Sequence, residues 1–401
     1  MPYCELDLFT NKESKAMVRE VKTFSARTVR PAGIQLDSLP LPSDVIREDS
    51  PLWEVFAGFR KLDLHLPGIP GDLGGMGDVD GLTLMAMAER LGHGDAGLAM
   101  GLMASQAPFQ YAALLRTPEL EKLVQDYCGD SGGLFIGCLV PDRGEGLLSG
   151  NGDGPPPLVT VTATGRGRYA VNGAMEKALN ANIATHAVLE VAILENSRPD
   201  GRGILVLPLD LPGVTRKEPV PRPGQRSLNM GGLVFSDVKL PKGCLVPKEP
   251  RELSAIRKRF FVQQTQYLAA VWGGIAWAAL DEALAYSKKR IQGGVPIFRH
   301  ANIRAQLFNM FKMVEAVRAN TRRLAQYHDH GPDEASLAHA VAAKCLATET
   351  AVQVSSEGIQ IFGGYGLTKE FPMEKFFRDA RLGTIEWGVN EDLALEAAAT
   401  L

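Results

Sequence analysis

From Leu8 to about Gln125 apolar residues recur every three to four positions, which predicts helices through the first third of the chain. The run TNKESKAMVREVKTFSARTVRP opens with Thr10 as N-cap and Glu13 three residues on, and it stops near Pro31. SPLWEVFAGFRKLDL predicts a helix after Ser50, PGIPGDLGGMG a loop, and LTLMAMAERLGHGDAGLAMGLMASQ a long, mostly apolar helical region. TPELEKLVQDYCGD enters a helix at Thr-Pro, with proline in the first helical position. From about Gly133 to Pro247 the texture changes to short β-branched stretches (LVTVTAT, YAVNGA, AVLEVAIL, GILVLPL, GLVFSDVKL) between Gly, Pro and Asn turns. That spacing predicts a small antiparallel barrel or sandwich rather than βαβ units. The run Gly165-Arg166-Gly167 also lacks the third glycine that a dinucleotide-binding Rossmann turn requires. From about Glu249 the helical period returns in long segments with short connections, enough for an up-down four-helix bundle. The expected fold class is α+β. It comprises an N-terminal α-helical domain (1–131), a middle antiparallel β-barrel or sandwich domain (132–247) and a C-terminal four-helix bundle (248–401).

Length and composition narrow the function classes. A chain of 401 residues, 45% hydrophobic, can bury a sizeable core across two or three domains. A net charge of −3 lacks the basic excess of a general nucleic-acid binder. The five cysteines are odd in number and scattered, with no C-x-x-C pair, so neither a zinc site nor a disulfide framework is expected, and a reducing, cytoplasmic compartment fits. The polar, acidic N-terminus does not read as a signal peptide. The longest apolar run, Tyr267 to Leu280, is shorter than the roughly twenty residues of a membrane span and reads as a buried bundle helix.

The most informative stretch is EGIQIFGGYGLTKEFPMEKFFRDARLGTIEWGVNE, Glu357 to Glu391. An apolar helix breaks at Gly363-Gly364 and resumes as an amphipathic turn. Adjacent glycines there mark either a helix cap or a close approach of backbone to a ligand. The run QIFGGYGLTKEFPMEKFFRDARLGTI resembles the C-terminal signature of the acyl-CoA dehydrogenase family, Q-I-x-G-G-x-G followed by E-x-P-x-E-[KR]-x-x-R-D-[AS]-[RK]. GQRSLNMGGLVFSDVKLPKGCLV and RYAVNGAMEKALNA resemble segments of that family's β domain, and AYSKKRIQGGVPIFRH its R-x-x-F-G-x-x-[IL] element. The resemblance covers nearly the whole chain.

The resemblance implies FAD as cofactor and an acyl-CoA thioester as substrate. Arg290, Gln360, Gly363 and Gly364 would contact the adenosine diphosphate part of FAD from a neighbouring subunit, and Val140 would lie near the flavin. It implies another copy or a paralogous subunit as partner, an electron-transferring flavoprotein as electron acceptor, and no membrane span. Arginine supplies a forked cation, and glycines let backbone N–H groups approach phosphate. A pairing of Arg290 with a helix-surface carboxylate is the structural alternative.

Departures from the family are equally informative. Most members carry a catalytic glutamate in I-[YF]-E-G-[TS]; here Ile385-Glu386-Trp387-Gly388-Val389 puts tryptophan in that place. Members that carry it on the first bundle helix would match Gln264, which cannot accept a proton from carbon. A positioned base contributes roughly two to four orders of magnitude in rate, so its loss matters. Asp95 and Glu386 are the replacement candidates. The alternatives are that Asp95 pairs with His93 or a backbone amide and that Glu386 is solvated. Where the family lines the flavin with hydroxyls, CLVPDRGEGLLSG has Val140 and Gly146, and the hairpin has Lys177 and Leu179 for an aromatic and a Thr or Ser. Met100, Met103 and Trp387 are candidates for an acyl pocket, although at helical spacing such residues also read as core. His328-Asp329-His330 reads as a hydrated helix end rather than a metal site, so no metal is expected.

The leading expectation is an FAD enzyme that desaturates an acyl-CoA between the α and β carbons, or runs in reverse as an enoyl-CoA reductase. The alternatives are a non-catalytic subunit completing a partner's FAD site and a flavin-dependent elimination or desulfination.

Overall fold

The computed structural model describes residues 11–129, 135–141, 157–165, 168–196, 198–330 and 334–399. Among the described residues six α-helices build the N-terminal third: α1 (Lys12–Phe24), α2 (Arg30–Ser38), α3 (Leu52–Lys61), α4 (Gly81–Gly94), α5 (Ala96–Leu115) and α6 (Pro118–Gly129). Asn11 caps α1, its side chain accepting from Ser14 N at 2.7 Å, while Thr10 lies outside the described residues. Helical structure does not stop near Pro31. A π-helical turn (Ser25–Val29) carries the chain directly into α2, and Pro31 falls in the first turn of the new helix. The long apolar region from Leu82 divides into α4 and α5 at Asp95. There the backbone is extended (φ −161°), and Asp95 Oδ1 accepts from Leu98 N at 2.9 Å to cap α5.

The middle region folds into strands β1 (Gly137–Leu139), β2 (Val159–Gly165), β3 (Arg168–Leu179), β4 (His186–Glu195), β5 (Arg198–Pro208), β6 (Val214–Arg216), β7 (Met230–Lys239) and β8 (Leu245–Lys248). They form one sheet in the order β6-β7-β3-β1-β4-β5-β8, with β2 pairing both β3 and β4. Most pairs are antiparallel, as expected, but β4 runs parallel to β1 and to β2, so the sheet is mixed. Asn180, at φ +61° after β3, donates its amide to Gly101 O (2.8 Å) and Gly137 O (3.2 Å), locking the sheet onto α5.

The C-terminal part comprises α7 (Pro250–Lys289), a short hairpin β9 (Ile291–Gln292) and β10 (Val295–Pro296), α8 (Ala301–His330), α9 (Glu334–Phe362), α10 (Met373–Gly383) and α11 (Asn390–Ala398). Helix α7 far exceeds the apolar run seen in the sequence. By length and composition it could cross a membrane, yet 78% of its most apolar window is buried inside the protein, as befits a bundle core. Two glycines let α4 and α7 touch: a Cβ on Gly92 would lie 2.1 Å from Val271 O, and one on Gly274 would lie 2.2 Å from Glu89 O. Beside this crossing, Glu89 is buried against Arg318 (3.1 Å) and Arg322 (2.7 Å). The guanidinium carbons of Arg90 and Arg318 each lie 4.2 Å from the Trp277 ring centroid.

The His328-Asp329-His330 end of α8 is more than a hydrated terminus: Asp329 Oδ1 accepts from Gly81 N at 2.6 Å and ties α8 to the start of α4. Among the described residues no cluster of metal-ligating side chains exists.

Candidate functional site

Two helix ends define an open groove of about 800 Å³, lined by Tyr286, Arg290, His300, Gln360, Gly363 and Gly364. Helix α9 ends where Gly363 turns left-handed (φ +60°), and a 3-10 turn (Gly363–Leu367) follows. A Cβ built on either glycine would meet nothing within 4 Å, so the corner faces open space rather than packed side chains. Arg290, one residue past α7, is exposed and has no carboxylate partner among the described residues; its guanidinium carbon lies 5.6 Å from the Tyr365 ring centroid. The helix-surface ion pair that was its structural alternative is therefore not formed. Behind the groove Tyr286 stacks on Phe362 with centroids 4.0 Å apart, giving it a rigid aromatic wall. An uncompensated guanidinium beside an unobstructed double-glycine turn suits a diphosphate, so the residues present fit that half of a dinucleotide.

The second feature is the turn after α10. Trp387 is buried, with φ +54°, and its Nε1 donates to Gln264 Oε1 at 2.9 Å. The two positions at which the family resemblance looks for a base thus meet in space, about 120 residues apart in sequence, and neither carries a carboxylate. Glu386 turns the other way. It is largely buried rather than solvated, and it accepts from Arg222 Nη1 (3.2 Å) and Gln225 Nε2 (2.6 Å). Burial raises its pKa above the usual carboxylate range, outweighing the pull of Arg222.

From Glu386 a chain of buried polar contacts runs to Asp95. Gln225 N donates to Asp379 Oδ1 (2.5 Å), and Lys375 Nζ bridges Asp379 Oδ2 and Asp95 Oδ2, each at 2.5 Å. Asp95 Oδ1 accepts from Ser227 Oγ at 2.6 Å as well as from Leu98 N. The two replacement candidates therefore stand at opposite ends of one network. Burial opposes the charge on Lys375, but Asp379 and Asp95 outweigh it and raise its pKa. Burial dominates at Asp379 and raises that carboxyl. Asp95 is held as a helix cap and counter-ion and makes no pair with His93, which instead approaches Asp281 Oδ2 at 3.1 Å. That arrangement argues against Asp95 as a free base.

The remaining predicted residues separate. Met100 and Met103 are buried in α5, where Tyr267 OH donates to Ala99 O at 3.2 Å and fastens α7 alongside. Val140 is half-buried just beyond β1. Gly146 lies outside the described residues. Lys177 is exposed and Leu179 fully buried, so neither replaces the aromatic or hydroxyl group the family resemblance would place there. Sequence reasoning missed Arg222, Gln225 and Lys344. The first two lie in the proline-rich loop between β6 and β7 and have no periodic signal. Lys344 was legible as one charge inside the apolar run AVAAKCLA.

Comparison with known proteins fits this geometry. The family model described as acyl-CoA dehydrogenase, C-terminal domain, matches residues 255–401. The cyclohex-1-ene-1-carbonyl-CoA dehydrogenase of Geobacter metallireducens is 27% identical over 95% of this chain and 95% of its own length. Butyryl-CoA dehydrogenase from Megasphaera elsdenii shares the fold at a TM-score of 0.83 and 24% identity, covering 98% of this chain and 99% of that one. The structure of PigA with FAD and proline has a TM-score of 0.81 at 20% identity, over 98% and 99% of the two chains. With residues 255–401 matched by the family model and relatives aligned over almost its full length, the chain is similar throughout to acyl-CoA dehydrogenases and shares their fold.

Proposed function

We propose that the protein is an FAD-dependent acyl-CoA oxidoreductase, acting between the α and β carbons of a thioester as a dehydrogenase or, in reverse, as an enoyl-CoA reductase. The observation that carries this is the open groove in which Arg290, without an acidic partner, faces the Gly363-Gly364 corner. Arg290, Gln360 and the backbone of Gly363 and Gly364 would hold the diphosphate of FAD seated at a neighbouring subunit, and the backbone at Val140 would approach the ring end of FAD. The bound flavin supplies the two-electron acceptor.

The chain's own residues then give the acyl site an unusual character. A base-bearing member would present a carboxylate, whereas Trp387 and Gln264 present a neutral, mutually hydrogen-bonded pair. Gln264 keeps its amide nitrogen free of partners among the described residues, so it can donate to an acceptor on the substrate. Trp387 narrows the site and excludes water from it; Met103 on α5 is the further pocket residue. Glu386 is the only carboxyl on the same turn, and its raised pKa is the property a proton carrier needs, although Arg222 and Gln225 hold it away from the indole. The name of the Geobacter relative, a dehydrogenase of a ring-bearing acyl-CoA, supports a cyclic or branched acyl group. We propose a cytoplasmic homo-oligomer that passes electrons to an electron-transferring flavoprotein. The free thiols Cys128, Cys138, Cys244 and Cys345 support a reducing compartment.

The neutral Trp387–Gln264 pair also favours a second reading, a subunit that completes a partner's flavin site without doing chemistry itself. Anaerobic spectrophotometry separates the two. Flavin absorbance bleached by an acyl-CoA, or reduced protein reoxidised by an enoyl-CoA, supports the enzyme. A colourless protein that gains flavin only with a second chain supports the subunit. Failure to bind FAD under any of these conditions refutes both.

A further inference from the structure

The turn bearing Glu386 and Trp387 is anchored from behind by a lysine. Lys344, in the middle of α9, is fully buried, and its Nζ donates to Gly388 O and Asn390 Oδ1, both at 2.8 Å. Neither acceptor is charged, an unusual setting for a group that is expensive to bury as an ion. Glu386, Glu391, Glu349 and the Cys345 thiol surround it at longer range, yet burial dominates and pushes the amine down to about 8. Two acceptors match the two N–H bonds of a neutral amine, whereas an ammonium would keep a third donor without a protein partner among the described residues. Asn390 is itself fixed. Its Nδ2 donates to Thr348 Oγ1 (3.0 Å) and Glu349 Oε1 (3.3 Å), and its backbone N donates to Thr384 O (3.0 Å). The segment held this way includes two successive left-handed residues, Trp387 (φ +54°) and Gly388 (φ +93°). For a tryptophan that conformation is strained and persists only when neighbours impose it.

We propose that Lys344 is the positioning residue of this site: its two donated bonds keep the 386–390 turn left-handed, aiming the Trp387 indole at Gln264 and the Glu386 carboxyl at Arg222. This holds whether or not the groove at Arg290 takes a nucleotide, because every contact invoked lies within the chain.

The test is NMR of the full-length protein with 15N-labelled indoles. Its four tryptophans give four Nε1–H signals, and Trp387→Phe identifies the one of interest. In Lys344→Met the Trp387 signal should leave its wild-type position and exchange faster with solvent. Trp53, Trp272 and Trp277 should keep theirs, and the melting temperature should not fall, since a buried charge has been removed. In the wild type the same signal should shift between about pH 7 and pH 9 as the amine changes charge, and Lys344→Met should abolish that shift. Asn390→Ala, which keeps the lysine and removes one acceptor, provides the same readout if Lys344→Met does not fold. A Trp387 signal unmoved in the folded variants, or moved only together with the other three, overturns the proposal, because a purely stabilising lysine would produce that pattern.

Discussion

Trp387→Glu is the most direct test of whether this site lacks only a base. The indole is 2% exposed and hydrogen-bonded to Gln264, so its removal should destabilise the fold by about 3–5 kcal/mol, the range for large aromatic deletions. A carboxylate in its place can accept from the free amide nitrogen of Gln264, a charge-assisted bond that returns about 1.5–3 kcal/mol. The glutamate inherits the left-handed backbone at φ +54°, which tryptophan already tolerates, so no new strain arises. A positioned general base should lift the rate of flavin reduction by roughly two to four orders of magnitude, or about 3–5 kcal/mol of barrier. The assay is anaerobic stopped-flow bleaching with straight-chain and cyclic acyl-CoAs, with Trp387→Gln as the control of equal size without a base. If Trp387→Glu reduces flavin no faster than Trp387→Gln, with both folded and equally loaded, the proton is not taken at this position and the reading of the site is wrong.

Arg290→Ala should weaken FAD binding by about 1.5–3 kcal/mol, roughly ten- to a hundredfold, in a fluorescence titration; an unchanged affinity would remove the groove from consideration. Arg222→Met leaves Glu386 in its largely buried position with Gln225 as its hydrogen-bond donor and should cost about 3–5 kcal/mol at pH 7.5 in urea unfolding. The folded-state pKa of Glu386 is already raised, so its stability contribution is fully present below the unfolded value of about 4.3 and lost as pH rises through the folded one. The penalty should therefore shrink at pH 5, and equal penalties at the two pH values would contradict the assignment. Glu89 has the opposite sign: burial acts to raise it, but Arg322 and Arg318 prevail and pull its pKa below the usual range. Its contribution is present above about 4.3 and lost as pH falls through the folded value, so Glu89→Gln should lower thermal stability strongly at pH 7, and the penalty should shrink only as pH is taken from about 4.3 down through that lower folded value.

Much of this was legible in the sequence because it depends on local pattern. Helical periodicity located α1, α3 and α6, alternation located β4, β5 and β7, and Gly363-Gly364 marked a corner that proves open. Motif spacing alone drew Gln264 and Trp387 to notice, and the fold joins the two side chains by a hydrogen bond. Illegible features arise from contacts between distant segments. Glu386 read as a displaced or solvated carboxylate because nothing local announces Arg222 and Gln225, more than 160 residues earlier. Asp95 read as a possible base because its bridge to Lys375 spans 280 residues. Pro31 read as a helix end because a π-helical turn, which absorbs a proline, leaves no compositional trace.

The Asp95–Lys375–Asp379–Gln225 bridge also bears on motion and on where the chain could be cut. Its members come from the start of α5, the loop before β7 and the middle of α10, so all three regions contribute to one nearly solvent-free knot. Separating any region would strand a lysine or an aspartate inside apolar surroundings. The bundle expressed alone should therefore be poorly soluble, and the molecule should melt in one step. Any parting of these regions would first have to break this bridge.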